Sequence, residues 1–181
     1  MAWLMFVKIW MVEKLSIHYF HPGDLFGECF ERKTTMFTSK ALENCTLGII
    51  NRRELEQFMR VEGSMALEFI KWIGLMYQHL QTKLRDLTLL GKQGALASTL
   101  IRIANMYGKR EGNNLYIKKR FTNTEIADLI GSSRETVNRM LSQYKRDNIL
   151  TFDEKSMVIL DVESLKKICH CEDCPKSLCR L

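Results

Sequence analysis

The pattern of apolar and polar positions changes period along this chain, and the change separates a strand-like region from a helical one. Residues 13–50 favour strands, because apolar and polar residues alternate there with a period of two. One alternating run has the apolar members Leu15, Ile17 and Tyr19. The run is followed by His21-Pro22-Gly23-Asp24, where Pro and Gly supply the backbone angles of a tight reversal. We therefore predict a strand that ends in a turn.

A second apolar run in this region, Cys45 to Ile50, favours another strand and ends at Asn51. Asn51 is a suitable helix cap, because Glu54 lies three residues further on and can return the capping bond. A short helix is predicted from this cap to about Arg60.

From Ser64 to about Leu90 the apolar spacing becomes that of one long helix. Seven residues fall on a single stripe, at intervals of three or four positions: Met65, Phe69, Ile73, Met76, Leu80, Leu84 and Leu87. A stripe of about 27 residues is near 40 Å long, which exceeds the diameter of a small domain. An ordinary core helix is one interpretation, and pairing with a second copy of the chain is the one we favour.

Gly91 and Gly94 are predicted to interrupt this helix and to begin a second domain. Within that domain the pattern predicts one helix, one short strand, two closely joined helices and a hairpin. In chain order these are Ala95–Met106, Leu115–Lys119, Phe121–Asn148, and the pair Thr151–Phe152 and Met157–Leu160.

Composition excludes several classes of protein. The 181 residues are 46% apolar and 27% charged, with two prolines and ten glycines, so the chain is neither disordered nor collagen-like. The most apolar stretch, Ala2 to Val12, carries Lys8 and is shorter than the roughly 18 residues of a membrane span. It also lacks a basic leader and a small-residue cleavage site. We expect a cytoplasmic protein.

The two closely joined helices have the signals of a helix-turn-helix. Thr122 to Glu125 is a capping box, and Ser132 to Glu135 offers a second one ten residues later. Ala127, Gly131 and Val137 are spaced as a small crossing residue, a flexible turn and an apolar anchor. Four further positions are predicted to be buried: Ile126, Ile130, Met140 and Leu141.

The second of these helices is predicted to contact DNA. Its N-terminal outward positions are Ser133, Arg134, Glu135, Asn138 and Arg139. Arg pairs with guanine, and Glu accepts from cytosine. The segment from residue 118 to residue 146 has seven basic and three acidic residues, so it carries +4 of the chain's net charge of +6. The alternative is the solvated face of a plain helical domain.

Two segments resemble the CRP/FNR transcription regulators. Gly131 to Leu141 is similar to that family's recognition helix, in the branch with Arg, Glu and Arg at positions 134, 135 and 139. Pro22 to Glu28 resembles its sensor-domain β-roll. The resemblance implies an α+β fold, a homodimer, palindromes of TGTGA-type half-sites and RNA polymerase as a partner. The implied domains are a partial β-roll (1–60), a dimerisation helix (61–91), a winged helix-turn-helix (92–168) and a cysteine-rich tail (169–181).

Two features depart from that family's pattern. Only about twenty residues precede the Pro-Gly-Asp turn, where a complete roll is usual, so we expect a chain shortened at its N-terminus. The Arg-Ser pair that holds phosphate in the cyclic-nucleotide branch is also missing near Thr34 to Phe37, and Arg32 and Lys33 are misplaced. We therefore expect no cyclic nucleotide.

Four of the six cysteines crowd into the last thirteen residues, while Cys29 and Cys45 stand alone. The tail contains Cys169 and then C-x2-C-x4-C, formed by Cys171, Cys174 and Cys179. Thiols so close together cannot form disulfide bonds that link distant parts of a fold, so metal or redox chemistry is indicated. The spacing alone leaves three alternatives open: an iron–sulfur site, a zinc site that includes His170, and free thiols.

The tail resembles that of the Bacillus-type Fnr regulators, which carry a [4Fe-4S] cluster on three C-terminal cysteines and one aspartate. Carried over to this chain, the resemblance implies Cys171, Cys174, Cys179 and Asp86 as ligands, with Cys169 spare. Asp86 beside Arg85 has the alternative of a surface ion pair. The implied function is oxygen-dependent transcription control, and the alternative is a zinc-stabilised or thiol-redox regulator.

An enzyme is not expected. The four histidines, His18, His21, His79 and His170, are scattered along the chain without an obvious acid–base partner.

Overall fold

A computed structural model of the protein describes residues 4–10, 13–27, 37–153 and 156–181, with side chains described from residue 14 onward. Within these ranges the helices are α1 (Arg52–Val61), α2 (Gly63–Thr88), α3 (Gly91–Tyr107), α4 (Asn123–Ile130), α5 (Arg134–Arg146) and α6 (Val162–Ile168). The strands are β1 (Leu4–Trp10), β2 (Glu13–Phe20), β3 (Thr38–Ala41), β4 (Gly108–Glu111), β5 (Asn114–Ile117), β6 (Leu150–Phe152) and β7 (Met157–Ile159).

The first sheet is antiparallel, and β1 is its central strand, in the order β2-β1-β3. Leu4 is paired with Phe20 on one side and with Ala41 on the other. The alternating apolar pattern predicts β2, whereas β1 was not predicted. The segment Leu4–Trp10 is a short, nearly continuous apolar run without alternation, and periodicity does not distinguish such a run from other apolar segments.

The segment after β3 corrects one prediction. Cys45–Ile50 forms no strand, and Ile49 is 96% exposed. An apolar run becomes a strand only where a partner strand accepts its backbone hydrogen bonds, and no described strand pairs with this one. The cap that follows is confirmed, because Oδ1 of Asn51 accepts from the backbone N–H of Arg53 at 2.9 Å.

The long helix α2 is confirmed as a single element of 26 residues. Its apolar stripe is largely uncovered by the described residues: Met65, Ile73, Leu80 and Leu84 are exposed, while Phe69, Met76 and Leu87 are half-buried. Along the described part of the chain, no helix combines the length and the apolar character that crossing a bilayer requires.

Helix α3 forms the centre of the C-terminal half. It begins at Gly91, whose φ of 62° lies in the left-handed region that glycine adopts without strain. Gly94 lies inside α3 and does not interrupt a helix, so that part of the prediction is wrong. Leu96, Leu100 and Ile103 are fully buried along this helix.

The second sheet is antiparallel, in the order β4-β5-β7-β6, and packs in the C-terminal half with α3. The predicted hairpin is present as β6 and β7, and the predicted strand at residues 115–119 is present as β5, which ends at Ile117. Two elements of the C-terminal half were not predicted, β4 and α6. Asp161 caps α6, since its Oδ1 accepts from the N–H of Ser164 at 2.9 Å.

The first sheet meets α2 through two buried imidazoles. The ring centres of His18 and His79 are 5.0 Å apart, and both side chains are more than nine-tenths buried. Burial lowers the pKa of His18 to about 3 and that of His79 to about 4, and neighbouring cationic groups add to the effect. Both rings are therefore neutral at pH 7.

We expect acid to destabilise the protein partly through this pair. The unfolded chain binds protons at these histidines below about pH 6.5 and the folded chain does not, so stability falls as the pH drops from 6.5 to 4. His79→Gln should remove about 1–3 kcal/mol of that loss in urea unfolding measured at both pH values. His170→Gln, at an exposed histidine, should leave the loss unchanged. Equal acid sensitivity in the His79 variant and the wild type would contradict the assignment.

Candidate DNA interface and cysteine site

Helix α4 begins at the predicted capping box. The Oγ1 of Thr122 accepts from the N–H of Glu125 at 3.1 Å, and Oε2 of Glu125 accepts from the N–H of Thr122 at 2.7 Å. Two N–H groups at the helix start are thus satisfied by side chains from the same short segment. The sequence prediction is confirmed here in detail.

A three-residue turn joins α4 to α5. Gly131 ends α4 with φ 54°, and the N–H of Ser132 donates to the carbonyl of Ala127 at 3.0 Å. Ser133 then caps α5, accepting at Oγ from the N–H of Thr136 at 3.2 Å. The second predicted cap is therefore shifted from Ser132 to Ser133.

The predicted buried positions of this helix pair are buried. Ala127 is 3% exposed and Val137 is fully buried where the two helices pack. The other four are also buried: Ile126, Ile130, Met140 and Leu141. The core of a helix-turn-helix is thus set by small and apolar residues at the expected spacing.

The candidate base-contacting residues lie on the outer face of α5. Ser133, Arg134, Glu135, Asn138 and Arg139 are all exposed. The Oδ1 of Asn138 accepts from Nδ2 of Asn123 on α4 at 3.1 Å. Their contacts with DNA stay a prediction, made from their exposure at the N-terminal half of a helix that can enter a major groove.

Lysines from three other elements bind the first helix of this pair. Lys14 on β2 pairs with Asp128 at 2.8 Å. The Nζ atoms of Lys83 on α2 and Lys92 on α3 donate to the carbonyls of Leu129 and Gly131 at the C-terminal end of α4. Burial lowers the pKa of Lys83 to about 7, so its contact is a hydrogen bond whether or not the amine is charged. The three lysines attach α4 to the sheet, to α2 and to α3 together.

The tail beyond α6 brings the cysteines to one place. Cys169, Cys171, Cys174 and Cys179 line one cavity of about 20 Å³, which is little more than the space of one water molecule. The same cavity is lined by Arg85 of α2 and by Ser98 and Arg102 of α3. The tail therefore converges on the α2–α3 junction, although Asp86 itself does not line this cavity.

The four thiols differ in environment. Cys169 is 2% exposed, its Sγ lies 3.6 Å from the carbonyl of Lys166, and burial raises its pKa to about 11. Cys169 is therefore a neutral thiol of the core at pH 7. Burial also raises the pKa of Cys179, while Cys171 and Cys174 are half-buried.

Asp86 is a buried carboxylate rather than half of a surface ion pair. It is 3% exposed, and its Oδ2 accepts from Oγ of Ser98 at 2.5 Å and from a guanidinium N–H of Arg102 at 3.0 Å. Its Oδ1 accepts from Arg85 at 2.9 Å. The pair with Arg85 exists, but it is one of three interactions that hold this charge in the interior.

These residues supply the kinds of donor atom that an iron–sulfur site uses, but they do not form an assembled ligand shell. Thiolates are the ligands that such clusters take, and three thiols share a cavity with the partners of Asp86. Across the described ranges, however, no three His, Cys, Asp or Glu side chains are close enough to hold a metal ion. The cavity would have to widen, and the tail from residue 170 to residue 178 forms no helix or strand that resists this.

The zinc alternative fits less well. His170 is exposed and is not among the residues that line this cavity. The stretch that lacks the Arg-Ser pair of the cyclic-nucleotide branch, Thr34 to Phe37, lies outside the described residues except for Phe37, and so do Arg32, Lys33 and the cysteine at position 29.

Sequence reasoning missed Ser98 and Arg102. Neither belongs to a motif, and both lie on a helix predicted only from its apolar spacing. The available signal was Arg102 itself, a charge in the otherwise apolar run from Leu100 to Ala104, where a buried partner is required.

Comparison with known proteins gives consistent matches. A family model, the Crp-like helix-turn-helix domain, matches residues 94–168. The anaerobic regulatory protein of Bacillus subtilis (strain 168) is 34% identical over 171 residues, which are 92% of this chain and 72% of that protein. The cAMP-activated global transcriptional regulator CRP of Pasteurella multocida (strain Pm70) is 24% identical over 151 residues, 81% of this chain and 71% of that protein.

Solved structures share the fold. A CRP-family transcriptional regulator from Thermus thermophilus has a TM-score of 0.75 at 19% identity, covering 93% of this chain and 84% of that one. FixK2 from Bradyrhizobium japonicum has a TM-score of 0.72 at 18% identity, covering 92% of this chain and 82% of that one. These similarities confirm the predicted α+β architecture with a helix-turn-helix.

The turn between α4 and α5 allows a test of the local geometry. Gly131→Val should lower the free energy of unfolding in urea by about 1–2 kcal/mol, because a left-handed φ is strained for a β-branched residue. Gly131→Asn should cost much less, since Asn tolerates this region. The Cβ atom that both side chains share would meet Leu15 at 3.5 Å, an ordinary contact, so that atom causes no clash in either variant. Equal losses in the two variants would contradict the backbone explanation.

Proposed function

Because the chain belongs to the CRP/FNR family of transcription regulators, we propose that it binds DNA as a homodimer and responds to oxygen through a [4Fe-4S] cluster. The ligands would be Cys171, Cys174, Cys179 and Asp86. One observation carries the oxygen-sensing part: three tail thiols line the same small cavity as Arg85, Ser98 and Arg102, which hold the Asp86 carboxylate. The 34% identity to a protein named as an anaerobic regulator supports it.

The outer face of α5 would read the DNA. Arg134 and Arg139 are exposed and can each form paired bonds to guanine, while Glu135 can accept from cytosine. These chemistries suit the GC pairs of a TGTGA-type half-site. Two half-sites need two copies of the helix, which a symmetric dimer supplies.

The uncovered stripe of α2 supports the dimer. Leu80 and Leu84 are 53% and 59% exposed one turn apart, and Ile73 two turns earlier is 45% exposed. Repeated apolar exposure along one face of a 26-residue helix favours pairing with the same face of another copy.

The cysteine tail would link oxygen to DNA binding. A bound cluster supplies an oxygen-sensitive bond between the tail and α2. The chain's own contribution is the tail's position, since it follows α6, packs on α3 and lies against the end of α2. Side chains that fix the tail to α2 would also restrict the orientation of α3 and of the helix-turn-helix relative to α2. Loss of that restriction would lower the affinity for an operator.

Metal analysis of protein purified and reconstituted without oxygen tests the cofactor. We expect about four irons per chain and a visible absorbance that air abolishes. Cys174→Ser should lose most of the iron, because one thiolate of three is removed, while Cys45→Ser, at a half-buried cysteine that does not line the tail cavity, should keep it. Stoichiometric zinc in place of iron would overturn the proposal in favour of the zinc-stabilised alternative, and full iron retention in Cys174→Ser would refute the ligand assignment.

Operator binding tests the recognition face. Arg139→Ala should weaken binding to a TGTGA palindrome by roughly 10- to 100-fold, the value of one bidentate base contact, and should reduce discrimination against a changed guanine. Arg60→Ala, at an exposed arginine on α1, should bind like the wild type. Binding would be measured by fluorescence anisotropy at one fixed salt concentration. An Arg139 variant that keeps both affinity and discrimination would exclude this face.

A further inference from the structure

Arg102 of α3 binds the cysteine tail as well as the carboxylate. Its side chain is buried, and one terminal nitrogen donates to Oδ2 of Asp86 at 3.0 Å. The other terminal nitrogen lies 3.4 Å from the carbonyl of Leu178 and 3.2 Å from the carbonyl of Arg180. These two carbonyls flank Cys179 in the chain, so one guanidinium contacts Asp86 and the backbone on both sides of a candidate ligand.

The next turn of α3 strengthens this attachment. Nδ2 of Asn105 donates to the carbonyl of Cys179 at 3.0 Å, and the N–H of Leu181 lies 3.1 Å from the sulfur of Met106. The side chain of Leu181 is itself 6% exposed. Positions 102, 105 and 106 lie on one helix face, so a single face of α3 holds the last four residues of the chain.

We propose that Arg102 is a positioning residue that fixes Cys179 beside Asp86, so that the docking of the tail is coupled to the state of the Asp86 carboxylate. A guanidinium presents five N–H donors in a planar fork, and this geometry allows one side chain to serve a carboxylate and two carbonyls at once. The Asp86 charge offsets the cost of burying the arginine, and the remaining donors are then available to the tail.

The role of Cys179 and Asp86 as ligands rests on the proposed function, whereas the docking of the tail rests on the contacts alone. A carboxylate that leaves Arg102 to bind elsewhere would take with it the charge that keeps the guanidinium buried. The hydrogen bonds from Arg102 to the carbonyls of Leu178 and Arg180 would weaken as a result. They are strongest while Arg102 stays paired with Asp86. Arg102 therefore gives the tail a position that depends on what Asp86 binds.

Arg85 supplies a matched control within the same cluster. It donates to Oδ1 of Asp86 at 2.9 Å and pairs with Glu172 of the tail at 2.9 Å. It has no hydrogen bond to a carbonyl next to Cys179 among the described contacts. Replacing either arginine by lysine keeps a positive charge beside Asp86. Only Arg102→Lys removes a planar guanidinium that contacts the backbone around Cys179.

Thiol reactivity of the metal-free protein tests the proposal without any cluster. The chelated, reduced protein is pulsed with N-ethylmaleimide, unfolded, and treated with an isotopically heavy form of the same reagent before trypsin digestion. Cys179 is then alone in the peptide Ser177–Arg180, and Cys45 is alone in Ala41–Arg52, which serves as the internal reference. The measured quantity is the labelling rate of Cys179 relative to Cys45, together with the thermal midpoint of each variant.

We expect Arg102→Lys to raise that relative rate about tenfold, as loss of charge-assisted hydrogen bonds would, with the thermal midpoint nearly kept. Arg85→Lys should change it less than threefold. The proposal is overturned if Arg102→Lys stays below threefold, or if Arg85→Lys raises the rate as much. A purely structural role would instead lower the thermal midpoint and raise the labelling of Cys45 and Cys179 together, which leaves their ratio unchanged and counts against positioning.

The iron measurement separates this result from the proposed function. If the wild type binds no iron while Arg102→Lys still frees Cys179, the cluster is excluded and the positioning role stands. If the wild type binds iron while the relative labelling does not change, the cluster stands and the positioning role fails.

Discussion

The buried pair of Asp86 and Arg102 is the interaction on which the arrangement around the tail depends. A carboxylate and a guanidinium taken out of water are costly unless each hydrogen-bonding position is filled, and removal of one partner leaves the other charge stranded. Here Ser98 and Arg85 donate the remaining hydrogen bonds to the Asp86 carboxylate, and carbonyls of the tail accept the remaining hydrogen bonds from the Arg102 guanidinium. The end of α2, the middle of α3 and the C-terminus are therefore held in one geometry.

The C-terminal half of α2 is consequently the point where the parts of the molecule meet. His79 contacts the first sheet, Lys83 binds the C-terminal end of α4, and Asp86 binds α3. The spacing of three and four residues places all three on one helix face. The apolar stripe with Leu80 and Leu84 is left uncovered on another face. If two copies pair through this stripe, as proposed above, a change at that contact would reach the sheet, the helix-turn-helix and the tail through the same helix.

Interactions between neighbouring residues made much of the fold predictable. The Thr122 box and the Gly131 turn depend on groups within a few residues of each other, so their residue types specify α4 and its end. The period of the α2 stripe is likewise a property of one helix. Predictions failed where the outcome depended on a distant partner: β1 needed β2 and β3, and Cys45–Ile50 had no described strand to pair with.

The same distinction applies to the candidate site. The sequence by itself determined which chemical groups were present: a basic recognition helix, a C-x2-C-x4-C tail and one aspartate near the end of the long helix. Only the tertiary structure decided that Asp86 is buried, that Arg102 is its partner sixteen residues away, and that the same guanidinium reaches the backbone around Cys179. Charge pairing in the interior depends on which helices pack together, and α2, α3 and the tail are brought together by burial of apolar surface rather than by any local signal.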